Sequence, residues 1–454
     1  MLENLDAVLL ARIQFAFTVS FHIIFPTLTI GLASFLAIME WRWLKTGDKI
    51  YIEIYELWIK IFAIAFGMGV VSGVTLSYEI GTNWSIFSDK VANVIGPLLG
   101  LEVLTAFFLE SSFLGIMLFG RRRVSPNMHL FATCVVAFGT LVSAFWIISA
   151  NSWMQTPDGF RVGVDGRLYP TSWMAIIFNP SFLYRLLHMI IASYITTAFV
   201  VGGVGALYLH NKRHIPHARI MIIIAVIVVT IMTPIQMFIG HCHGLNVLKH
   251  QPAKIAAMEG QWETENSVGL KLFGLPDQNA EVTKYSIAIP NLTSLLLTHS
   301  LDGEVRGLKE WAREDRPPVA MVFWSFRVMV GMGLLMLATS LLSVLQYMRN
   351  LLFTSRWLHS IWIIMIPSGF IALLAGWFVT EIGRQPYVVY GVLRTAKAAS
   401  PAIVGTQVLW SLLTFIVIYT LIFGAGISYI AQLVRMGVVS TKNTTRINAT
   451  GKPQ

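Results

Sequence analysis

The chain has 454 residues, of which 55% are hydrophobic and 12% are charged, and its formal net charge is +10. Soluble domains carry about 25% charged residues, so this composition indicates a polytopic membrane protein and excludes a soluble domain. The basic residues form short clusters between apolar stretches, which is a topology signal and not the pattern of a nucleic-acid-binding surface.

Nine stretches qualify as membrane spans, since a span needs about 20 mostly apolar residues. They cover roughly residues 12–40, 56–80, 94–119, 128–150, 178–209, 218–240, 319–346, 357–381 and 403–432. The predicted fold is therefore all-α, with about nine transmembrane helices and a long outward-facing loop between helices six and seven. We divide the chain into helices one to six (residues 1–240), the loop (241–318), helices seven to nine (319–440) and a tail (441–454).

The orientation follows from the basic residues of the short connections. They follow the first and third spans and flank the fifth-to-sixth and seventh-to-eighth connections, and more lie toward the C-terminus. They are Arg42, Lys45, Lys49, Arg121, Arg122, Arg123, Lys212, Arg213, Arg219, Arg349, Arg356, Arg435, Lys442, Arg446 and Lys452. Because cytoplasmic loops carry the excess of Lys and Arg, the N-terminus is expected outside and the tail in the cytoplasm.

Two of the histidines inside predicted spans are candidate ligands. His22 is in the first span and His188 is in the fifth. A lone intramembrane histidine is either hydrogen-bonded to a neighbouring helix or a metal ligand, since neutral imidazole is the commonest metal ligand. The pattern alone leaves both interpretations open.

The seventh span carries Met329 and, two residues before it, Arg327. A methionine in an apolar helix is nearly always a packing residue. An arginine buried in a span, however, needs an anionic partner, and a haem propionate would serve. Paired with a histidine, Met329 would then complete the ligation typical of an electron-transfer haem.

Glu381 and Arg384 lie at the outward end of the eighth span. A carboxylate at such a position is expensive and marks a functional site. His22, His188, Met329 and Glu381 all fall in the outer half of the predicted membrane. This shared depth favours one haem-binding region over four separate packing residues.

The third span holds two carboxylates, Glu102 and Glu110. In an α-helix they would stand about 12 Å apart along the axis and about 80° apart around it. At that separation they cannot share one proton, so they would be two successive sites on a proton path. Proton conduction is the favoured interpretation, and Ser143 of the fourth span is a candidate for the same path.

Lys254 and Glu259 stand five residues apart in the long loop. A solvated amphipathic helix explains them simply. The alternative is a polar pair that binds and deprotonates a hydroxylated ring arriving from the lipid.

Six short motifs, in order along nearly the whole chain, resemble subunit I of the cytochrome bd-type quinol oxidases. They are Arg12-Ile13-Gln14-Phe15 with His22, Gly81-Thr82-Asn83-Trp84, the Glu102/Glu110 segment, residues 151–155, Phe326-Arg327-Val328-Met329, and Gly376-Trp377-Phe378 through Gly383-Arg384-Gln385-Pro386. The resemblance implies a haem-containing subunit of a terminal respiratory oxidase. Such an oxidase takes electrons from membrane quinol, reduces oxygen to water and builds a proton gradient without pumping.

The resemblance also implies roles for single residues. His188 and Met329 match the ligands of a low-spin haem b, and His22 and Glu381 match the ligands of a second, high-spin haem b and of a third haem that is haem d or haem b. The arginines expected at the haems are Arg12, Arg327 and Arg384. Trp377 matches an aromatic residue among the haems, and Lys254 and Glu259 match the quinol-interacting pair. The proton path from the cytoplasm matches Glu102, Glu110 and Ser143.

Further expectations concern the assembly. The resemblance implies a bacterial cytoplasmic (inner) membrane location, a second membrane subunit and room for a small single-span accessory subunit. The short loop and the segment His241-Cys242-His243-Gly244 resemble the cyanide-insensitive subgroup. Two other classes stay open from the residues alone, a proton-coupled transporter and a haem-bearing anchor for a separate dehydrogenase; nine unpaired spans speak against the transporter.

Overall fold

The computed structural model describes residues 6–438, and the predicted tail 441–454 lies outside them. Within that range nine helices are long and apolar enough to cross a membrane, which confirms the predicted fold class. Their bounds are Ala7–Thr46, Lys49–Asn83, Ser85–Phe119, Pro126–Gln155, Phe182–His210, Ile215–His250, Arg313–Met348, Arg356–Ile382 and Gly405–Met436. We call them the first to the ninth span.

Local signals set the first two boundaries. The Asp6 carboxylate accepts 3.0 Å hydrogen bonds from the backbone N–H groups of Val8 and Leu9, which caps the first span. Gly47 ends that span in the left-handed region, at a φ of 69°. Asp48 then caps the second span, so the first two spans form an antiparallel pair with a very short connection.

The third span is not a regular α-helix. It consists of helices Ser85–Glu102 and Phe108–Phe119 joined by a π-helical turn, Val103–Phe107. A π turn holds more residues per turn than an α turn, so each residue contributes less rotation. The predicted 80° between Glu102 and Glu110 assumed an uninterrupted α-helix, and that assumption is wrong.

The eighth span is also interrupted. Its two helices, Arg356–Ile364 and Ser368–Ile382, are separated by a short turn that contains Pro367. Proline has no backbone N–H and cannot continue the hydrogen bonds of the preceding helix. The break sets the direction of the second helix, which carries Trp377 and Glu381.

The long loop begins later than its predicted start at residue 241. The sixth span continues to His250, because polar residues 241–250 end the hydropathy signal without ending the helix. Pro252 starts the next helix, Pro252–Glu259. The rest of the loop contains an antiparallel hairpin of strands Leu270–Asp277 and Val282–Ile289, the helix Leu292–Thr298, and the paired strands Glu265–Asn266 and Glu304–Val305.

Two smaller strand pairs lie in other connections. Phe160–Val162 pairs with Leu168–Pro170, and Tyr387–Val389 pairs with Leu393–Arg394. These short sheets leave the architecture helical.

The main core lies among the first, second, fifth, sixth and eighth spans, around Trp58, Phe62, Phe199 and Trp362. Two glycines of the second span lie against the first span. A Cβ atom at Gly69 would lie 3.4 Å from Phe25 Cβ, and one at Gly73 would lie 3.2 Å from His22 Cε1. The second span therefore approaches His22 closely.

Candidate functional site

A cavity of about 450 Å³ lies among the fifth to eighth spans and the helix Pro252–Glu259. Five predicted site residues line it: His188, Met329, Trp377, Lys254 and Glu259. Its volume is within the usual range for a ligand pocket. The structure thus brings the predicted ligand pair and the predicted quinol pair to one cavity.

A glycine stands opposite each residue of the predicted ligand pair. A Cβ atom at Gly240 would lie 3.1 Å from His188 Cε1, and one at Gly376 would lie 3.0 Å from Met329 Sδ. The His188 Nδ1 atom is buried and has no hydrogen-bond partner among residues 6–438. Each of these two side chains therefore faces a glycine of a neighbouring span, where a larger residue would crowd it.

Glu381 is held by three side chains. Asn151 and Gln155 donate hydrogen bonds of 3.2 and 3.1 Å to its Oε1 atom. The Arg384 guanidinium donates to Oε2. These contacts explain the polar motif at the end of the fourth span, and they leave the Glu381 side chain 30% exposed.

Positive charge exceeds negative charge around Glu381, since Arg185, Lys254 and Arg384 all lie near this one carboxylate. Arg384 Nε and Nη1 and Arg185 Nε are buried without a partner within the described chain. Buried positive charge in excess of its anionic partners is strongly destabilising. The region therefore fits an additional anionic group.

The donor set fits haem. It combines an imidazole, a thioether and a carboxylate with unpaired guanidinium groups of the kind that hold propionates. Trp377 lies within this set, because its ring centre is 5.7 Å from Arg185 Cζ and it lines the same cavity as His188.

Lys254 belongs to the Glu381 neighbourhood. Its Nζ atom donates to Gln155 Oε1 at 2.8 Å and to the Thr380 carbonyl at 3.1 Å. Burial lowers the pKa of Lys254 well below its usual range, and Arg185 lowers it further. Lys254 can therefore give up its proton more readily than a surface lysine.

Glu259 contacts a different set of residues. Arg327 Nη2 lies 3.5 Å from Glu259 Oε2, and Thr293 donates to the same oxygen at 3.2 Å. Burial raises the pKa of Glu259, and Arg327 opposes that shift. Lys254 and Glu259 thus line one cavity without pairing with each other.

Arg327 has its anionic partner in the protein. It pairs with Glu259 and also donates to the carbonyls of Lys271, at 2.9 and 2.7 Å, and of Met258. The predicted contact between Arg327 and a haem propionate is untested and stays a prediction.

His22 lies outside this cavity lining. Its Nδ1 atom is 3.0 Å from Ser72 Oγ, which fixes the ring against the second span. Arg12, three turns earlier along the first span, is exposed. The predicted cofactor contacts of these two residues stay predictions.

The predicted proton-path residues meet at the interface of the third and fourth spans. Ser143 donates a 2.7 Å hydrogen bond to Glu102 Oε1. A Cβ atom at Gly139, one turn before Ser143, would lie 2.7 Å from Glu110 Cγ. The π turn therefore lets both carboxylates face the fourth span.

Sequence analysis missed two buried charged residues, Arg185 in the fifth span and Glu79 in the second span. Arg185 is 7% exposed and Glu79 is 1% exposed. Both are charged residues in predicted spans, which is the signal that could have identified them.

Comparisons with known proteins agree with this geometry. Residues 10–438 match the family described as cytochrome bd terminal oxidase subunit I. The chain is 34% identical to the cytochrome bd-II ubiquinol oxidase subunit 1 of Escherichia coli (strain K12), over 95% of this chain and 97% of that protein. It is 36% identical to the cytochrome bd ubiquinol oxidase subunit 1 of Bacillus subtilis (strain 168), over 93% and 92%.

A solved structure, that of the bd oxidase from Geobacillus thermodenitrificans, has the same fold. The TM-score is 0.87 at 28% identity, and the match covers 96% of this chain and 100% of that chain. The chain belongs to the cytochrome bd terminal oxidase subunit I family.

Proposed function

We propose that this chain is the haem-bearing subunit of a bacterial terminal oxidase that oxidises membrane quinol and reduces oxygen to water. The cavity shared by His188, Met329, Lys254 and Glu259 is the observation that carries the proposal. The cavity is lined both by candidate iron ligands and by ionisable groups suited to binding a quinol. The named relatives are ubiquinol oxidase subunits, which supports quinol as the reductant.

His188 and Met329 would hold a low-spin haem b, and His22 and Glu381 would each hold one of two high-spin haems. One high-spin haem is haem b and the other is haem d or a further haem b; we do not assign the two ligands between them. A haem with two strong ligands carries electrons, whereas one with an open iron face binds oxygen. Arg185 and Arg384 would bind propionates through their unpaired nitrogens.

Lys254 and Glu259, which both lie on the helix Pro252–Glu259 and line the cavity, would bind the quinol. A carboxylate accepts a proton from a quinol hydroxyl only when it is ionised, and the Arg327 contact favours that form of Glu259. Protons released here leave on the outward side. Trp377 would lie on the electron route from this pocket.

Glu110, Glu102 and Ser143 would deliver protons for oxygen reduction from the cytoplasm. The Ser143–Glu102 hydrogen bond and the close contact of Glu110 with Gly139 support a continuous path along the fourth span. Since quinol oxidation and oxygen reduction then exchange protons with opposite sides, a gradient arises without pumping.

The proposed assembly includes a second membrane subunit and leaves room for a small single-span subunit. The location is the bacterial cytoplasmic membrane, with the N-terminus in the periplasm and the C-terminus in the cytoplasm. The short outer loop supports the cyanide-insensitive subgroup, which predicts oxygen uptake that persists in cyanide.

The optical spectrum of the purified complex tests the proposal. We expect low-spin and high-spin haem bands, carbon monoxide reactivity of the high-spin haem, and oxygen uptake with quinol. A complex without haem would instead be a transporter. A haem complex that does not react with carbon monoxide would be an electron-transfer anchor.

A further inference from the structure

Three pairs of polar residues connect the first and second spans near their predicted outward ends. Asn83 Nδ2 donates to Gln14 Oε1 at 2.8 Å, Thr18 Oγ1 donates to Glu79 Oε1 at 2.6 Å, and His22 Nδ1 lies 3.0 Å from Ser72 Oγ. Gln14, Thr18 and His22 follow each other at one-turn intervals. We call these three pairs the polar ladder.

Glu79 is the unusual member of the polar ladder. It is 1% exposed, and Thr18, its hydrogen-bond donor, is 0% exposed. Its second oxygen, Oε2, is buried and has no hydrogen-bond partner among residues 6–438. An unpaired carboxylate at this depth is costly, and a packing role does not require one.

The titratable neighbours of Glu79 are few. The Tyr419 hydroxyl of the ninth span lies next to Thr18, Thr75 and Glu79. On the first span, the next titratable residue inward is His22, about 6 Å further along the axis than Thr18. Among the described residues, no cation is paired with Glu79.

Glu79 is separate from the proposed inward proton path. Glu102 and Glu110 contact the fourth span through Ser143 and Gly139, whereas Glu79 contacts the first span through Thr18. In the polar ladder, Glu79 stands between His22 and the outermost pair, Gln14 and Asn83. Gln14 also donates to Ser411 of the ninth span at 3.0 Å.

We propose that Glu79 is a proton-holding residue of the His22 site, whose carboxyl group gains a proton when the haem held by His22 is reduced and loses it on reoxidation. The proposal rests on the proposed haem at His22. It adds a proton site in the predicted outward half of the first and second spans, where the outermost pair of the polar ladder, Gln14 and Asn83, is still buried.

The charge balance is simple. Quinol oxidation supplies one electron to the site, and the ionised Glu79 carboxylate binds one proton, so the net charge of the site is unchanged. When oxygen takes the electron back, the carboxyl group releases the proton toward Gln14 and Asn83. Charge in a low-dielectric interior is costly, so compensation by a nearby proton favours reduction.

Infrared redox difference spectra of the whole oxidase complex, with and without Glu79→Gln, test this proposal. The wild-type spectrum should contain a protonated-carboxyl band that appears on reduction and shifts in heavy water. Glu79→Gln should lose that band, and the midpoint potential of the haem at His22 should lose part of its dependence on pH. Glu79→Asp should keep the band at a shifted position.

Glu56→Gln is the matched control, because Glu56 lies on the same span but pairs with Arg121 at its other end. It should keep every band. If Glu79→Gln does not assemble, Thr18→Val and Tyr419→Phe should each shift the same band. An unchanged band and unchanged pH dependence in the assembled variants would overturn the proposal while leaving the oxidase function intact; a wild-type complex without haem would remove both.

Discussion

Gly376 stands directly against the Met329 thioether, so that a Cβ atom at Gly376 would lie only 3.0 Å from Met329 Sδ. The two residues belong to the eighth and seventh spans, which pack together along the cavity. The sulfur therefore has no room for a larger neighbour in its present position. If Met329 is an iron ligand, glycine at position 376 helps to place its sulfur, because a larger side chain there would push the sulfur aside.

Gly376→Ala should selectively weaken the low-spin haem signal. The added methyl group displaces the Met329 thioether by a few tenths of an ångström, because a contact of 3.0 Å is shorter than an ordinary van der Waals contact. Reduced-minus-oxidised optical spectra measure the effect. We expect the same loss, but more complete, in Met329→Leu, with the oxygen-site bands partly intact.

Gly331→Ala on the seventh span is the control for this substitution. A Cβ atom at Gly331 would meet no atom within 4 Å, so the variant tests the change from glycine to alanine alone. Its spectrum should equal that of the wild type. An unchanged low-spin signal in both Gly376→Ala and Met329→Leu would remove Met329 from the ligand set.

Arg384→Gln should lower the high-spin haem content and the stability of the complex. The substitution removes the ion-pair partner of Glu381 and two unpaired nitrogens that fit a propionate. Haem-to-protein ratio and thermal inactivation measure the two effects. Arg167→Gln, at an exposed pair with Asp89, should leave both unchanged.

The number of spans was predictable from sequence, but their ends and irregularities were not. Hydropathy identifies the apolar part of a helix, so it placed the end of the sixth span at residue 240 although its hydrogen bonds continue to His250. The π turn at Val103–Phe107 has no proline or glycine to indicate it. It changes which side of the third span Glu110 faces.

Candidate site residues were chosen from the sequence where a charge is expensive, but their partners were not predictable. The family resemblance implied that Lys254 and Glu259 form the quinol-interacting pair. In the fold, Lys254 contacts Gln155 and Glu259 contacts Arg327, which are remote in sequence. Such partners depend on how helices pack, and no pattern within one helix contains that information.

Quinol oxidation should fall as the pH is lowered, and Glu259 should be the cause. Burial raises the pKa of Glu259, so acidification protonates it at a higher pH than it would a surface carboxylate. The protonated form cannot accept a quinol proton. Glu259→Gln should lower kcat by on the order of 10²-fold and abolish this acid limb.

The pH profile of kcat with a soluble quinol, at a fixed oxygen concentration, measures this dependence. Glu263→Gln is the matched control, because Glu263 lies on the same loop and pairs at the surface with Lys309. It should keep the acid limb. An acid limb that persists in Glu259→Gln would assign the proton acceptor to another group.

Glu110→Gln should slow oxygen reduction by on the order of 10²-fold while all haem bands are retained, because it removes a proton station without touching a ligand. Gly139→Ala provides an independent probe, since its Cβ atom would lie 2.7 Å from Glu110 Cγ and would displace the carboxyl group. Time-resolved reaction of the fully reduced complex with oxygen separates this step from quinol oxidation. Glu56→Gln, at the half-exposed pair with Arg121, should react at the wild-type rate. Wild-type rates in both Glu110→Gln and Gly139→Ala would place the proton path elsewhere in the complex.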